Sequence, residues 1–222
     1  HIMARASATV KKVFLELGGK SANILLDDAD FASALPSALA VCYHAGQGCA
    51  ITTRLLVPKA RQVEAEEILK MYFGYIQYGN PAAEDQIMGP LINRRQQERV
   101  LGYIERGRQE GARLLLGGGR PAHLPKGYYV EPTVFVDVRN DMAIAQEEIF
   151  GPVLAVIAYE DDEDAIRIAN DSVYGLSGAV WSADEARALR VARRIRTGTI
   201  NVNGGNFYAA DAPFGGYKQS GL

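Results

Sequence analysis

Two of the 222 residues are cysteine and three are histidine, and this scarcity removes several classes of protein at once. Cys42 and Cys49 cannot build a disulfide framework, a usage that suits a reducing compartment and predicts a cytoplasmic protein. With His1, His44 and His123 widely spaced, the chain lacks the Cys/His spacing of a zinc site, and no metal is expected. No apolar run approaches the roughly 18 residues of a membrane span. Charge of one sign is also missing: 24 Lys+Arg face 26 Asp+Glu, leaving no basic stripe for nucleic acid and no polybasic membrane patch. Internal repeats, low-complexity tracts and linkers are absent from the sequence.

Several catalytic signatures are missing as well. Leu17-Gly18-Gly19-Lys20-Ser21 ends like a phosphate-binding loop, but Phe14 stands where the first glycine belongs. No G-x-G-x-x-G follows an apolar run, and no G-x-S-x-G elbow occurs.

The residues that are present, 48% apolar and 23% charged, describe a soluble globular chain long enough to bury a core. Their pattern is alternation. Val10–Leu17, Asn23–Leu26, Arg54–Val57, Arg113–Leu116, Tyr128–Val138, Pro152–Tyr159, Leu176–Trp181 and Thr199–Val202 have strand character. Phe31–His44, Ala60–Gln77, Arg94–Glu110, Asp161–Asn170 and Asp184–Ile195 read as helices, with Pro36 near a first turn and Gly111 closing the third at its C′ position. Strands separated by helices predict one α/β domain, three-layer α/β/α with a mostly parallel sheet. Ligands of such sheets usually sit beyond the carboxyl ends of the strands, so the loops after the apolar runs are the first place to look for chemistry.

Two side chains stand in unusual settings. Cys49 lies in Ala45-Gly46-Gln47-Gly48-Cys49-Ala50, where small neighbours let a substrate approach the sulfur and a backbone N–H can face a developing oxyanion. Cys42, among Ala40, Val41 and Tyr43, reads as a buried helix residue. Glu16 ends the apolar run before a glycine pair; it is either a partly desolvated acid suited to act as a base or an edge residue reaching water. The acids of Glu147-Glu148-Ile149-Phe150-Gly151-Pro152 are by default solvated, and the glycine pairs around Phe214 suit a loop lining a pocket.

Together these segments resemble the aldehyde dehydrogenase superfamily. Leu15-Glu16-Leu17-Gly18-Gly19-Lys20-Ser21 is similar to its general-base motif and Gly46-Gln47-Gly48-Cys49 to its nucleophile motif. Glu147–Pro152 is similar to its cofactor-ribose motif, and Pro213-Phe214-Gly215-Gly216-Tyr217-Lys218-Gln219-Ser220-Gly221 to its late substrate-loop motif. The resemblance implies Cys49 as nucleophile and Glu16 as the base that activates hydrolytic water. It implies Glu148 and Phe150, with Leu17 and Gly18, as residues that bind NAD or NADP, and Gly48, Ala50, Tyr208 and Phe214 as walls of an aldehyde pocket. His44 stands where many members carry Asn.

The implied reaction oxidises an aldehyde to a carboxylic acid through a thiohemiacetal and a thioester on sulfur. The resemblance further implies that residues 1–222 form a truncated catalytic domain, without the family's N-terminal Rossmann cofactor domain and C-terminal oligomerisation strand. A small-molecule aldehyde is the expected partner, and the full-length protein is expected to be a homodimer or homotetramer. The alternatives are that the isolated chain acts only as a thiol esterase or is an inactive fragment.

Overall fold

A computed structural model of the chain describes residues 1–204 and 211–221. Its centre is a seven-stranded sheet: β1 (Ala22–Leu25), β2 (Arg54–Pro58), β3 (Arg113–Leu116), β4 (Thr133–Val136), β5 (Val153–Tyr159), β7 (Gly178–Trp181) and β8 (Asn201–Val202). The spatial order is β3-β4-β5-β2-β1-β7-β8. Every neighbouring pair is parallel except the antiparallel β3–β4 edge. A two-residue ribbon lies apart, pairing β6 (Tyr174–Gly175) with β9 (Tyr217–Lys218). The central strands β1, β2, β4 and β5 are buried along almost their whole length, because helices cover both sheet faces. The mostly parallel α/β fold is therefore as expected.

The helices begin where short acceptor side chains can satisfy open backbone N–H groups. Asn93 caps α4 (Arg94–Gln109) through Gln96 N, Asp161 caps α6 (Asp162–Asn170) through Asp164 N, and Asp184 caps α7 (Glu185–Ala192) through Arg187 N. Gly111 follows α4 at φ +94°, the left-handed position that ends a helix most cheaply in glycine. The expected helix Phe31–His44 divides in two. α2 (Phe31–Ala34) is α-helical, and Pro36 sits at the start of a 3₁₀ run, Leu35–Gly46, because its ring and missing N–H break the α-type ladder. α3 (Gln62–Gly74) packs against that run.

Two expected strands are corrected. Val10–Leu17 is not a strand: the only pairing it makes among the described residues is an isolated bridge from Glu16 to Gly221. Val10 is 91% and Phe14 84% exposed, so the apolar pattern there is not spent on a core. The extended segment Tyr128–Val138 shrinks to β4, since Asp137 turns into the left-handed region at φ +55°. Short helices at Ile2–Ser7 (α1) and Ala143–Gln146 (α5), and the β6–β9 ribbon, had no sequence signal strong enough to place them. Among the described residues no helix is long and apolar enough to cross a membrane.

One buried cation ties the sheet together. Arg54, the first residue of β2 and 2% exposed, donates from Nε to Lys20 O (2.9 Å) and from Nη1 to Asn140 Oδ1 (2.9 Å) and Ile168 O (3.0 Å). Its Nη2 donates to Ala169 O (2.9 Å). The guanidinium fork thereby joins the approach to β1, the segment before α5 and the end of α6. Replacing it with Met leaves several buried carbonyls without donors, each costing about 1–3 kcal/mol. Arg54→Met is expected to lower the urea midpoint by an amount equivalent to roughly 3–5 kcal/mol, with an unchanged m-value. A loss under about 1 kcal/mol would show that the fork is dispensable.

Candidate active site

Three of the loops singled out by sequence meet at one end of the sheet. Residues 16–21 run into β1, 46–53 into β2 and 147–152 into β5, and these three strands are adjacent in the order β5-β2-β1. The meeting point is thus at the amino ends of parallel strands. This corrects the expectation of chemistry beyond their carboxyl ends. Because Val10–Leu17 is no strand of this sheet, Glu16 lies on the approach to β1 instead of at a strand's exit.

The thiol loop is shaped by consecutive left-handed residues. Tyr43 leaves helical geometry at ψ 135°, then His44 (φ +52°), Ala45 (φ +53°) and Gly46 (φ +71°) reverse the chain. For His44 and Ala45 this costs roughly 1–2 kcal/mol each. Gln47 holds the turn: its Nε2 donates to His44 O (2.9 Å), and its Oε1 accepts from Ile92 N (3.0 Å) ahead of α4. Gly46 admits no side chain, since a Cβ there would lie 2.1 Å from Gly151 O. Beyond the turn Cys49 is half-buried, and its backbone N–H meets no acceptor among the described residues. Cys42 is fully buried, and burial pushes its thiol up to about 12, so it is a poor nucleophile.

The glycine pair after Glu16 is where the motifs touch. Gly18 adopts φ +86°, and a Cβ there would lie 2.3 Å from Glu148 Oε2. Gly19 donates its N–H to Glu148 Oε1 (3.2 Å), and its own missing Cβ would fall 2.8 Å from Cys49 O. The Glu148 carboxylate is consequently seated on backbone, half-buried. Burial raises its pKa above the usual range, opposed by the Gly19 N–H and the charges of Lys20 and Arg99. Glu148 is therefore not the solvated acid that its neighbourhood suggested by default. Its companion Glu147 has another role, accepting from Tyr103 OH (2.7 Å) and pairing with Arg106 (3.0 Å).

Glu16 itself is exposed, with no hydrogen-bond partner for its carboxylate among the described residues. Of its two sequence readings, the structure has the one that reaches water. Its backbone bridges Gly221, and Leu17 N donates to Ser220 O (2.7 Å), which brings the late motif alongside the base motif. Leu17 is exposed at the same edge. Phe150, partly exposed, stands at φ +59°. Of the expected pocket residues, Gly48 is half-buried and Ala50 buried on either side of Cys49, and Phe214 is partly exposed. Tyr208 lies outside the described residues.

Sequence reasoning missed the supports. One stripe of α4, Gln96, Arg99, Tyr103 and Arg106, faces the 147–150 segment. Gln96 Nε2 donates to Ile149 O (3.1 Å) and Phe150 O (2.7 Å), and Arg99 Nη2 to Glu148 O (2.7 Å). These bonds fix the left-handed backbone of Phe150. The i, i+3, i+7, i+10 spacing was visible in sequence, but it looks the same as an ordinary solvated face. Lys20, given no role of its own in either the failed phosphate loop or the general-base motif, is 2% exposed. Among the described residues no cluster of three or more His, Cys, Asp or Glu side chains is placed to hold a metal ion.

Known proteins resemble the chain over its whole length. The model of the aldehyde dehydrogenase family matches residues 1–222. The chain is 47% identical over 225 residues to the betaine aldehyde dehydrogenase of Brucella anthropi, covering 100% of this chain and 46% of that protein. It superimposes with a TM-score of 0.96 on a Mycobacterium tuberculosis aldehyde dehydrogenase complexed with NAD+, at 48% identity, covering 100% of this chain and 46% of that one. A Pseudomonas syringae aldehyde dehydrogenase in complex with NAD+ and octanal gives 0.95 at 46% identity, with the same coverage. The chain spans less than half the length of these relatives.

The contrast between the two thiols is directly testable. In the native chain iodoacetamide is expected to add one group, at Cys49, and to reach Cys42 only after denaturation, as read by intact mass and peptide mapping. Modification of Cys42 first would contradict the burial that separates them.

Proposed function

The chain belongs to the aldehyde dehydrogenase family, and on that premise we propose that it is the catalytic portion of an NAD(P)-dependent enzyme oxidising an aldehyde to a carboxylic acid. The observation that carries the reading is the junction at Gly18–Gly19, where the base motif, the nucleophile loop and the Glu148 carboxylate come into contact. Octanal in the Pseudomonas relative and betaine aldehyde in the name of the Brucella relative support a small aldehyde as substrate class.

Cys49 is the nucleophile in this reading. Its thiolate adds to the aldehyde carbon, forming a C–S bond and placing negative charge on the former carbonyl oxygen. The Cys49 N–H, with no acceptor among the described residues, is available to donate to that oxyanion. The dinucleotide, when bound, supplies the acceptor for the hydride that leaves that carbon as the oxyanion collapses to a carbonyl, which leaves a thioester on Cys49. The donor set fits its nicotinamide ribose: a seated carboxylate, Glu148, accepts from hydroxyl donors, and Phe150 and Leu17 offer apolar surface to the ring. Glu16 then takes a proton from water, whose oxygen attacks the thioester carbon. The C–S bond breaks, the carboxylic acid leaves and the thiolate is restored. Exposure of Glu16 gives that water direct access.

In the complete protein the remaining half supplies the rest of the dinucleotide site, and copies associate as dimers or tetramers. The chain alone is read as lacking oxidation and retaining at most thiol-dependent ester hydrolysis. That residual activity uses Cys49 and Glu16 without the dinucleotide and is abolished by alkylation with iodoacetamide.

Glu16→Gln in the complete enzyme is expected to keep a pre-steady-state burst of NADH of about one per active site while steady-state turnover falls by at least about a hundredfold. Rapid-mixing absorbance at the NADH band reads both. Turnover close to that of the unaltered enzyme would remove Glu16 from the role of base.

A further inference from the structure

Phe150 is the residue that the proposed mechanism sets against the nicotinamide ring, yet its backbone stands at φ +59°. For a non-glycine residue that conformation costs roughly 1–2 kcal/mol, so its surroundings must hold it. α4 does so from one side. Three consecutive carbonyls accept from its side chains: Glu148 O from Arg99 Nη2 (2.7 Å), and Ile149 O (3.1 Å) and Phe150 O (2.7 Å) both from Gln96 Nε2. The helix also approaches closely, since a Cβ on Gly151 would lie 2.4 Å from Val100 Cγ2. The thiol turn meets the same residue, with a Cβ on Gly46 falling 2.1 Å from Gly151 O. The 148–151 segment thus touches α4, the thiol turn and, through the Glu148 carboxylate, the Gly19 N–H.

Gln96 is not needed for α4 itself. It is the third helical residue, and Asn93 already caps the helix by accepting from Gln96 N (2.9 Å). A Gln or Glu side chain in that position ordinarily reaches back to the N–H of the cap residue. Here the amide nitrogen donates to two carbonyls 53 and 54 positions further along the chain. Those carbonyls belong to the peptide planes on either side of the Phe150 α-carbon, so one amide fixes both backbone angles of Phe150. The neighbouring groups have tethers of their own. Gln47 Oε1 accepts from Ile92 N (3.0 Å) just ahead of α4, and Glu148 keeps its bonds to Arg99 and Gly19. Removing the Gln96 amide therefore releases Phe150 while the nucleophile loop and Glu148 stay anchored.

We propose that Gln96 is a positioning residue for hydride transfer, its side-chain amide fixing both peptide planes of Phe150 and with them the apolar surface offered to the nicotinamide ring. This rests on the reading of Phe150 as a contact of that ring. Gln96 acts through the Phe150 backbone, not through a contact of its own with dinucleotide or aldehyde. The effect falls on the one step that needs the ring, the departure of hydride from the thiohemiacetal carbon. A misplacement of about 1 Å costs such a step up to about a hundredfold, and the earlier bonding of thiolate to aldehyde does not depend on it.

The test compares Gln96→Glu, Gln96→Leu and Phe150→Ala with the unaltered sequence in the complete protein. Gln96→Glu keeps the side-chain length and favours the first turn of α4, but its carboxylate has no N–H to donate. Rapid mixing at saturating NAD+ and aldehyde reads the NADH burst, fluorescence titration the NAD+ affinity, and iodoacetamide the reactivity of Cys49. Both Gln96 variants are expected to slow the burst about tenfold, with NAD+ affinity and Cys49 alkylation within about twofold of the unaltered enzyme. A general loosening of the site would slow alkylation together with the burst, and a role confined to the helix would spare Gln96→Glu. Either result overturns the proposal, as does an unchanged burst or an effect confined to NAD+ affinity. Phe150→Ala separates the two levels. If it slows the burst while the Gln96 variants do not, the Gln96 inference fails alone. If it leaves the burst unchanged, the reading of Phe150 fails and takes the inference with it. Urea unfolding reports on the folding of Gln96→Leu, and Gln96→Glu carries the comparison if that variant does not fold.

Discussion

The contact on which the site depends is backbone against side chain, at two glycines. Gly18 and Gly19 leave room for the Glu148 carboxylate on one side and the Cys49 carbonyl on the other, and the Gly19 N–H closes the first of these contacts. No other residue type fits there. A Cβ at Gly18 would overlap Glu148 in a left-handed backbone, and one at Gly19 would press on Cys49 O. Three segments far apart in sequence are thereby held within contact of one another. Their common position follows from the sheet: each leads into one of three neighbouring parallel strands, and parallel register brings their entries to the same edge.

Around that junction the chain accepts local cost. His44, Ala45 and Phe150 all hold left-handed backbone without being glycine, and each is held by a glutamine: Gln47 for the thiol turn, Gln96 for the carboxylate segment. Lys20 is a further cost, a buried side chain whose Nζ has no hydrogen-bond partner among the described residues. Strain and unpartnered charge of this kind persist where the surrounding structure over-determines them, and here the surroundings are the fork of Arg54 and the stripe of α4. Stability and site geometry are linked through these two supports. Arg54 binds the carbonyl of Lys20, the residue that follows the Gly19 N–H on which Glu148 is seated.

Much of the fold was legible because its signals are local. Asn93, Asp161 and Asp184 cap the helices they precede, Gly111 ends α4, and the short β-branched runs became buried parallel strands. Val10–Leu17 misled because Val10, Phe14 and Leu17 are exposed and the segment finds no neighbouring strand among the described residues, which periodicity cannot reveal. Cys49 and Glu148 stood out through their motifs. The residues that hold them did not, since Gln96 and Arg99 look like any polar helix face and Lys20 like any surface lysine until burial is known. Close approaches between distant segments, such as Gly18 to Glu148, are properties of the packed chain and leave no spacing rule behind.

The most direct measurement of the central claim is a crystal structure of the complete protein with NAD+. The account predicts Glu148 still accepting from the Gly19 N–H while its carboxylate takes both hydroxyls of the nicotinamide ribose, with the Cys49 sulfur and the Glu16 carboxylate facing the same nicotinamide. A dinucleotide whose ribose lies away from Glu148, or a Cys49 sulfur and Glu16 carboxylate opening onto separate cavities, would contradict it.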